Sequence, residues 1–200
     1  MDSINLVALL SFVFVTTFTP GPNNISSSSM GVLFGYRRTV NFLLGISVGF
    51  FIVMLLSGLV SQTLYSVLPS IEQILHIVGA AYILWLAYKT FKSSYDFSDE
   101  NSVALQFSDG LLLQAFNPKV WIYGLTLYST FLTAAIGNVA LLFSSALFFA
   151  IVSFASISTW AVSGAAIKGI LRDVRWQRVI NTVLALILVY TAIELSGLLG

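Results

Sequence analysis

The chain has 200 residues, 58% of them hydrophobic and only 8% charged, with a formal net charge of +1 and a mean hydropathy of +0.93. Ordinary soluble domains carry about 25% charged residues, so nine basic and eight acidic side chains cannot clothe a soluble globule of 21.8 kDa. Nucleic-acid binding has no basic patch to rest on, and the absence of cysteine excludes disulfides, thiol redox chemistry and thiolate metal sites.

Lipid is the remaining solvent, and it admits only helices or closed barrels, because every backbone polar group must be satisfied internally. A barrel reads as short alternating segments. The apolar stretches here are long and unbroken, so the expected class is an all-α membrane protein. A span needs about 20 mostly apolar residues, and six candidates follow in chain order: 4–19, 42–61, 71–91, 111–132, 139–166 and 179–199. No Lys or Arg precedes Arg37. A signal peptide requires a basic start, so the first segment is expected to remain as a span.

Arg37 and Arg38 fall in the first connection, Lys89 and Lys92 border the third, and Lys168, Arg172, Arg175 and Arg178 fill the fifth. The second and fourth connections hold no Lys or Arg, so eight of the nine basic residues lie on one side. The positive-inside rule makes that side cytoplasmic and places both termini outside. Tyr36, Trp85, Tyr88 and Trp176 sit near the same boundary, as an aromatic belt would. Gly31-xxx-Gly35 and Gly45-xxx-Gly49 are small-residue pairs suited to close helix contact.

The hydrophilic connection 93–102, with Asp96, Asp99 and Glu100, divides a single 1–200 transport domain into candidate halves 1–92 and 103–200. Three spans in each half force the second half to enter the membrane from the opposite side. That is the layout of two inverted three-helix repeats, common among secondary transporters.

Two places break the pattern of a plain lipid-facing helix. In Thr19-Pro20-Gly21-Pro22-Asn23-Asn24 the prolines remove backbone donors and the glycine permits a bend, while Asn23 or Asn24 suits the start of a new helix. In Asn117-Pro118-Lys119 an Asn cap followed by Pro at the first helical position is a good helix start. Helices 1 and 4 are thus expected to be broken. Helix ends opened at membrane depth can hold a carboxylate on amides and an ammonium on carbonyls, which together suit a small zwitterion. An ordinary turn at the inner face and a structural kink are the plainer readings.

Lys119 is costly inside a span unless it is paired, hydrated or snorkelling to the interface. It also stands in a first helical turn, where the dipole disfavours a cation and favours a nearby anion. Glu72 and His76, four residues apart, share a helix face and form a candidate proton relay, with an outer-surface pair as the plainer reading. Asp109 and Glu194 read as interfacial. The run Ser26 to Ser29 lines a wet path or permits tight packing.

Enzyme signatures are missing: there is no zinc-protease helix motif, nucleophile elbow or phosphate-binding loop, and a lone histidine cannot build a multi-histidine metal site. The chain is therefore expected not to be an enzyme, to use no cofactor or metal, and to draw on a gradient or on a partner's energy for any transport.

Thr19-Pro20-Gly21-Pro22-Asn23, the six apolar segments and Asn117-Pro118-Lys119 resemble the lysine exporter (LysE/RhtB-type) family of bacterial amino-acid efflux proteins. GISVGFFIVMLLSG (45–58), GAAYILWLAYK (79–89) and residues 116–131 are most similar to its cysteine/O-acetylserine exporter branch. The resemblance implies a multi-pass inner-membrane protein that exports small amino acids or derivatives, coupled to protons by alternating access. At a site near the two breaks, Pro20, Gly21, Pro22 and Pro118 are expected to shape the backbone, Asn23, Asn24 and Asn117 to supply polar contacts, and Lys119 to meet the carboxylate or take part in proton coupling. The protein's partners would be the bilayer, a small zwitterionic substrate and protons, with no nucleic acid, and a homo-oligomer is compatible. Export of homoserine, threonine or another metabolite, and a non-transporting membrane scaffold, stand as alternatives.

Overall fold

The computed structural model describes residues 6–64, 81, 84–85, 87–88, 91–92, 104–135, 137–170 and 173–195. Among these residues every regular element is helical: α1 (Leu6–Phe18), α2 (Pro22–Phe34), α3 (Tyr36–Leu64), α4 (Phe107–Ala115), α5 (Pro118–Thr126), α6 (Val139–Ile167) and α7 (Val174–Leu195). A π-helical turn, Leu127–Phe131, prolongs α5, and a 3-10 turn, Thr133–Ala135, leads towards α6. The described residues of the third candidate span, including Trp85 and Tyr88, are helical as well. Glu72 and His76 lie outside the described residues, as does the acidic connection with Asp96, Asp99 and Glu100.

Both expected breaks are present. The first candidate span ends with α1 at a break over residues 19–21, beyond which α2 begins, and the fourth is divided between α4 and α5 at Phe116 and Asn117. The first connection is shorter than the sequence suggests. Gly35 turns the chain alone at φ 75°, a backbone setting that glycine tolerates and side chains resist. Helix α3 therefore starts at Tyr36, and Arg37 and Arg38 occupy its exposed first turn rather than a loop. Arg175 and Arg178 likewise stand on the first turns of α7.

The described helices are apolar on their outer faces as well as in their core, and several small and polar residues are buried. Leu44, Val48, Ile52, Leu56 and Leu59 form an exposed stripe on α3, while Phe42, Leu43, Ile46, Phe50, Val53 and Met54 turn inward. Along α6, Phe143, Leu147, Phe148 and Ile151 are exposed, whereas Ser153, Ser156, Ala161 and Gly164 are buried. Water would select the reverse, and hydrocarbon selects this arrangement. Two described helices, Tyr36–Ser61 and Val139–Ile167, are each long and apolar enough to cross a membrane alone.

Glycine sets the closest crossings. A Cβ on Gly31 would overlap the Ala161 carbonyl of α6, and one on Gly164 would overlap Ser28 of α2. Gly45 and Gly110 make the same reciprocal fit between α3 and α4, against Phe107 and Phe42. Gly49 meets the Gln114 side chain, while Gly35 meets nothing within 4 Å, so it serves the turn and not the expected packing pair.

Two of the apolar clusters among the described residues flank the helix breaks. One gathers Leu9, Val13, Met54, Tyr123, Leu127, Tyr128 and Phe149, and the other Met30, Phe42, Leu43, Ile46, Ile157 and Ala161. Along α6, buried Ser153 and Ser156 fall between the residues of the two clusters, and the breaks meet at that level.

Candidate functional site

Pro20 and Pro22 lack the N–H groups that would continue α1, which leaves its last carbonyls without helical partners. Side chains from three elements take their place. Asn24 Nδ2, from α2, donates to the Thr17 and Thr19 carbonyls at 2.9 and 3.0 Å. From α6, Ser156 Oγ donates to the Thr17 carbonyl at 3.0 Å and Trp160 Nε1 to the Phe18 carbonyl at 3.3 Å. From α5, Lys119 Nζ donates to the Thr19 carbonyl at 3.0 Å. The ammonium thus rests on the negative end of one helix, which offsets its unfavourable place at the start of another.

The second break is closed differently. Asn117 Oδ1 accepts from the Lys119 amide at 3.1 Å, capping α5 behind Pro118. Trp121 Nε1 donates to the Ala115 carbonyl at 3.1 Å, covering the end of α4.

A buried amide network joins the breaks. Asn23 Nδ2 donates to Gln114 Oε1 at 3.1 Å, and Gln114 Nε2 returns a bond to Asn23 Oδ1 at 2.8 Å. Asn117 Nδ2 donates to the same Asn23 oxygen at 2.8 Å. Gln114 is 0% exposed and Asn117 1%, with Asn23 half-buried at the edge, so these amides satisfy one another largely out of solvent.

Beside the network lies a cavity of about 380 Å³ including its mouth, lined by Gly21, Asn23, Asn24, Asn117, Lys119, Tyr123 and neighbours. Ligand sites are concave with a few convergent polar groups, and this one presents an ammonium and the amides of Asn23, Asn24 and Asn117. Lys119 is the single formally charged residue of the lining. A Cβ on Gly21 would stand 3.2 Å from Lys119 Nζ, so the ammonium lies over the start of α2. Gly21 offers that start no side-chain cap. An ammonium above uncapped first-turn amides is an arrangement that receives a carboxylate.

Of the residues singled out from the sequence, Gly21, Pro22, Asn23, Asn24, Asn117 and Lys119 meet at this cavity. Pro20 lies in the break between α1 and α2, and buried Pro118 opens α5 behind the Asn117 cap. Sequence reasoning missed Gln114, Tyr123, Ser153, Ser156 and Trp160. Each carried a signal: Gln114 interrupts an apolar run three residues before Asn117, Tyr123 follows Lys119 by one helical turn, and Ser153, Ser156 and Trp160 recur at helical spacing.

A family model described as LysE type translocator matches residues 14–197. A cysteine/O-acetylserine efflux protein of Salmonella choleraesuis is 35% identical over 199 residues, covering 98% of this chain and 99% of that one. Proteins of the same description from Shigella flexneri serotype 5b and Escherichia coli K12 are each 33% identical, over 195 and 190 residues, covering 98% and 95% of this chain and 99% and 96% of theirs. No solved structure matches the chain at significant similarity.

Proposed function

The chain belongs to the LysE type translocator family, and from that premise we propose that it exports small zwitterionic amino acids or their derivatives, of the cysteine and O-acetylserine kind, from the cytoplasm. The observation that carries this reading is the Lys119 ammonium held over the uncapped start of α2, in a small cavity where both helix breaks converge. The cargo carboxylate sits between Lys119 and the α2 amides. Its ammonium faces the carbonyl-rich end of α1 and the amide side chains of Asn23 and Asn117 that line the cavity. Pro20, Gly21, Pro22 and Pro118 shape the backbone that holds these groups.

The protein spans the bacterial inner membrane six times, with both termini outside, as one domain of two inverted halves, 1–92 and 103–200. Alternating access rocks these halves around the site, and the proton gradient drives export, with Glu72 and His76 as the candidate relay. The position of the break in the first span of each half supports the repeat. The test is counterflow in proteoliposomes, with labelled cysteine, O-acetylserine, serine, homoserine and threonine, with and without an imposed proton gradient. Exchange of the first two, accelerated by the gradient, is the expected result. A protein that exchanges no amino acid is not an amino-acid exporter.

A further inference from the structure

Three described residues bury a hydroxyl that has no hydrogen-bond partner, Ser27, Ser57 and Tyr123, and of these only Tyr123 lines the cavity. It stands on α5 one turn beyond Lys119, about 6 Å further along the helix axis. Its ring is fixed by aromatic neighbours: Phe12 stacks at 5.4 Å, Phe50 lies tilted at 5.6 Å and Phe149 meets it edge-on at 6.4 Å. Thr17 lies beside the hydroxyl, but no bond of ordinary geometry joins them. A phenylalanine would fill the same space among these rings. The oxygen is therefore an expense for packing, and its use must come from something that enters the cavity.

We propose that the Tyr123 hydroxyl reads the polar group on the side chain of the cargo. The inference rests on the amino-acid reading above and adds the feature that sets specificity. With the carboxylate at Lys119 and Gly21, the cargo side chain extends along α5 towards Tyr123. Phe50 and Val120 supply apolar walls to the same cavity, which Thr16, Thr17 and Ser153 also line. A phenol both donates and accepts. One hydroxyl can thus receive a thiol or alcohol proton and can also donate to an ester oxygen, which lets a single site take thiol and ester cargoes while discriminating against a hydrocarbon side chain of the same size. A site built to bond a polar group rejects the analogue that lacks it, because its own buried group then stays unpaired.

The experiment compares cysteine with 2-aminobutyrate, in which a methyl replaces the thiol, by counterflow in reducing buffer. The wild type should favour cysteine, and Tyr123→Phe should lower the cysteine to 2-aminobutyrate ratio about tenfold. The same ratio in wild type and Tyr123→Phe overturns the inference, as does a wild type that does not distinguish the two. A wild type that exchanges neither these nor any other amino acid removes the amino-acid reading itself, and this inference with it. Where flux through the variant is too low to measure, ligand-induced shifts in the melting temperature of the purified proteins supply the same ratio and decide in the same way.

Discussion

Lys119 shows how one side chain can be wrong for its own helix and right for the molecule. The first turn of α5 repels its charge, yet Nζ reaches the Thr19 carbonyl at the opposite pole of α1. A hydrogen bond to a charged group contributes about 1.5–3 kcal/mol. Lys119→Met keeps the length of the side chain and removes that charge, so KM for the cargo should rise about 10- to 100-fold. The Thr19 carbonyl keeps its bond from Asn24, so the amount of protein in the membrane should hold. Equal KM values in the two proteins would remove Lys119 from the site. Gly21→Ala tests the same contact from the other side. Its Cβ would lie 3.1 Å from Lys119 Cδ and must push the lysine aside, so the expected change is a smaller rise in KM at normal expression.

Between helices, the decisive fits are backbone against backbone. Gly110 packs on α3 where any Cβ would collide with Phe42 and Ile46. Overpacking costs about 1–3 kcal/mol, so Gly110→Val should lower the melting temperature in detergent. Gly169, with no atom within 4 Å of its Cβ position, should accept valine without loss. Equal melting temperatures for the two variants would contradict the close crossing. The sequence marked Gly45 through its four-residue spacing, but not Gly110, which has no glycine partner at that spacing on its own helix. It misassigned Gly35 because spacing cannot separate a packing glycine from one that turns the chain. For the same reason the start of α3 lay hidden: hydrophobicity begins near Phe42, and the turn that frees Tyr36 to open the helix depends on a single φ angle.

At the scale of the whole molecule, composition gave the class, and the prolines placed both breaks in the sequence, since missing N–H groups act locally. What local chemistry could not reveal is that the breaks touch. Asn23 and Asn117 stand 94 residues apart, and their meeting depends on how α2, α4 and α5 pack. Gln114 was passed over because a lone polar residue in an apolar run has no meaning until its partner is known. The proposed orientation can be checked cleanly because the chain has no cysteine. An impermeant maleimide should label Ala134→Cys in intact cells, and Arg38→Cys and Gly169→Cys only after the membrane is opened. All three positions are exposed. Labelling of Arg38→Cys in intact cells would invert the topology.

The end of α1 has one more consequence. Five side-chain hydrogen bonds from α2, α5 and α6 converge on three successive carbonyls, those of Thr17, Phe18 and Thr19. The Thr17 and Thr19 carbonyls each keep a second donor when one leaves, whereas the Phe18 carbonyl depends on Trp160 alone among these bonds, and an abandoned acceptor costs about 1–3 kcal/mol. Helices moving apart at this joint would have to release all five bonds, so the end of α1 ties the positions of α2, α5 and α6 to one another.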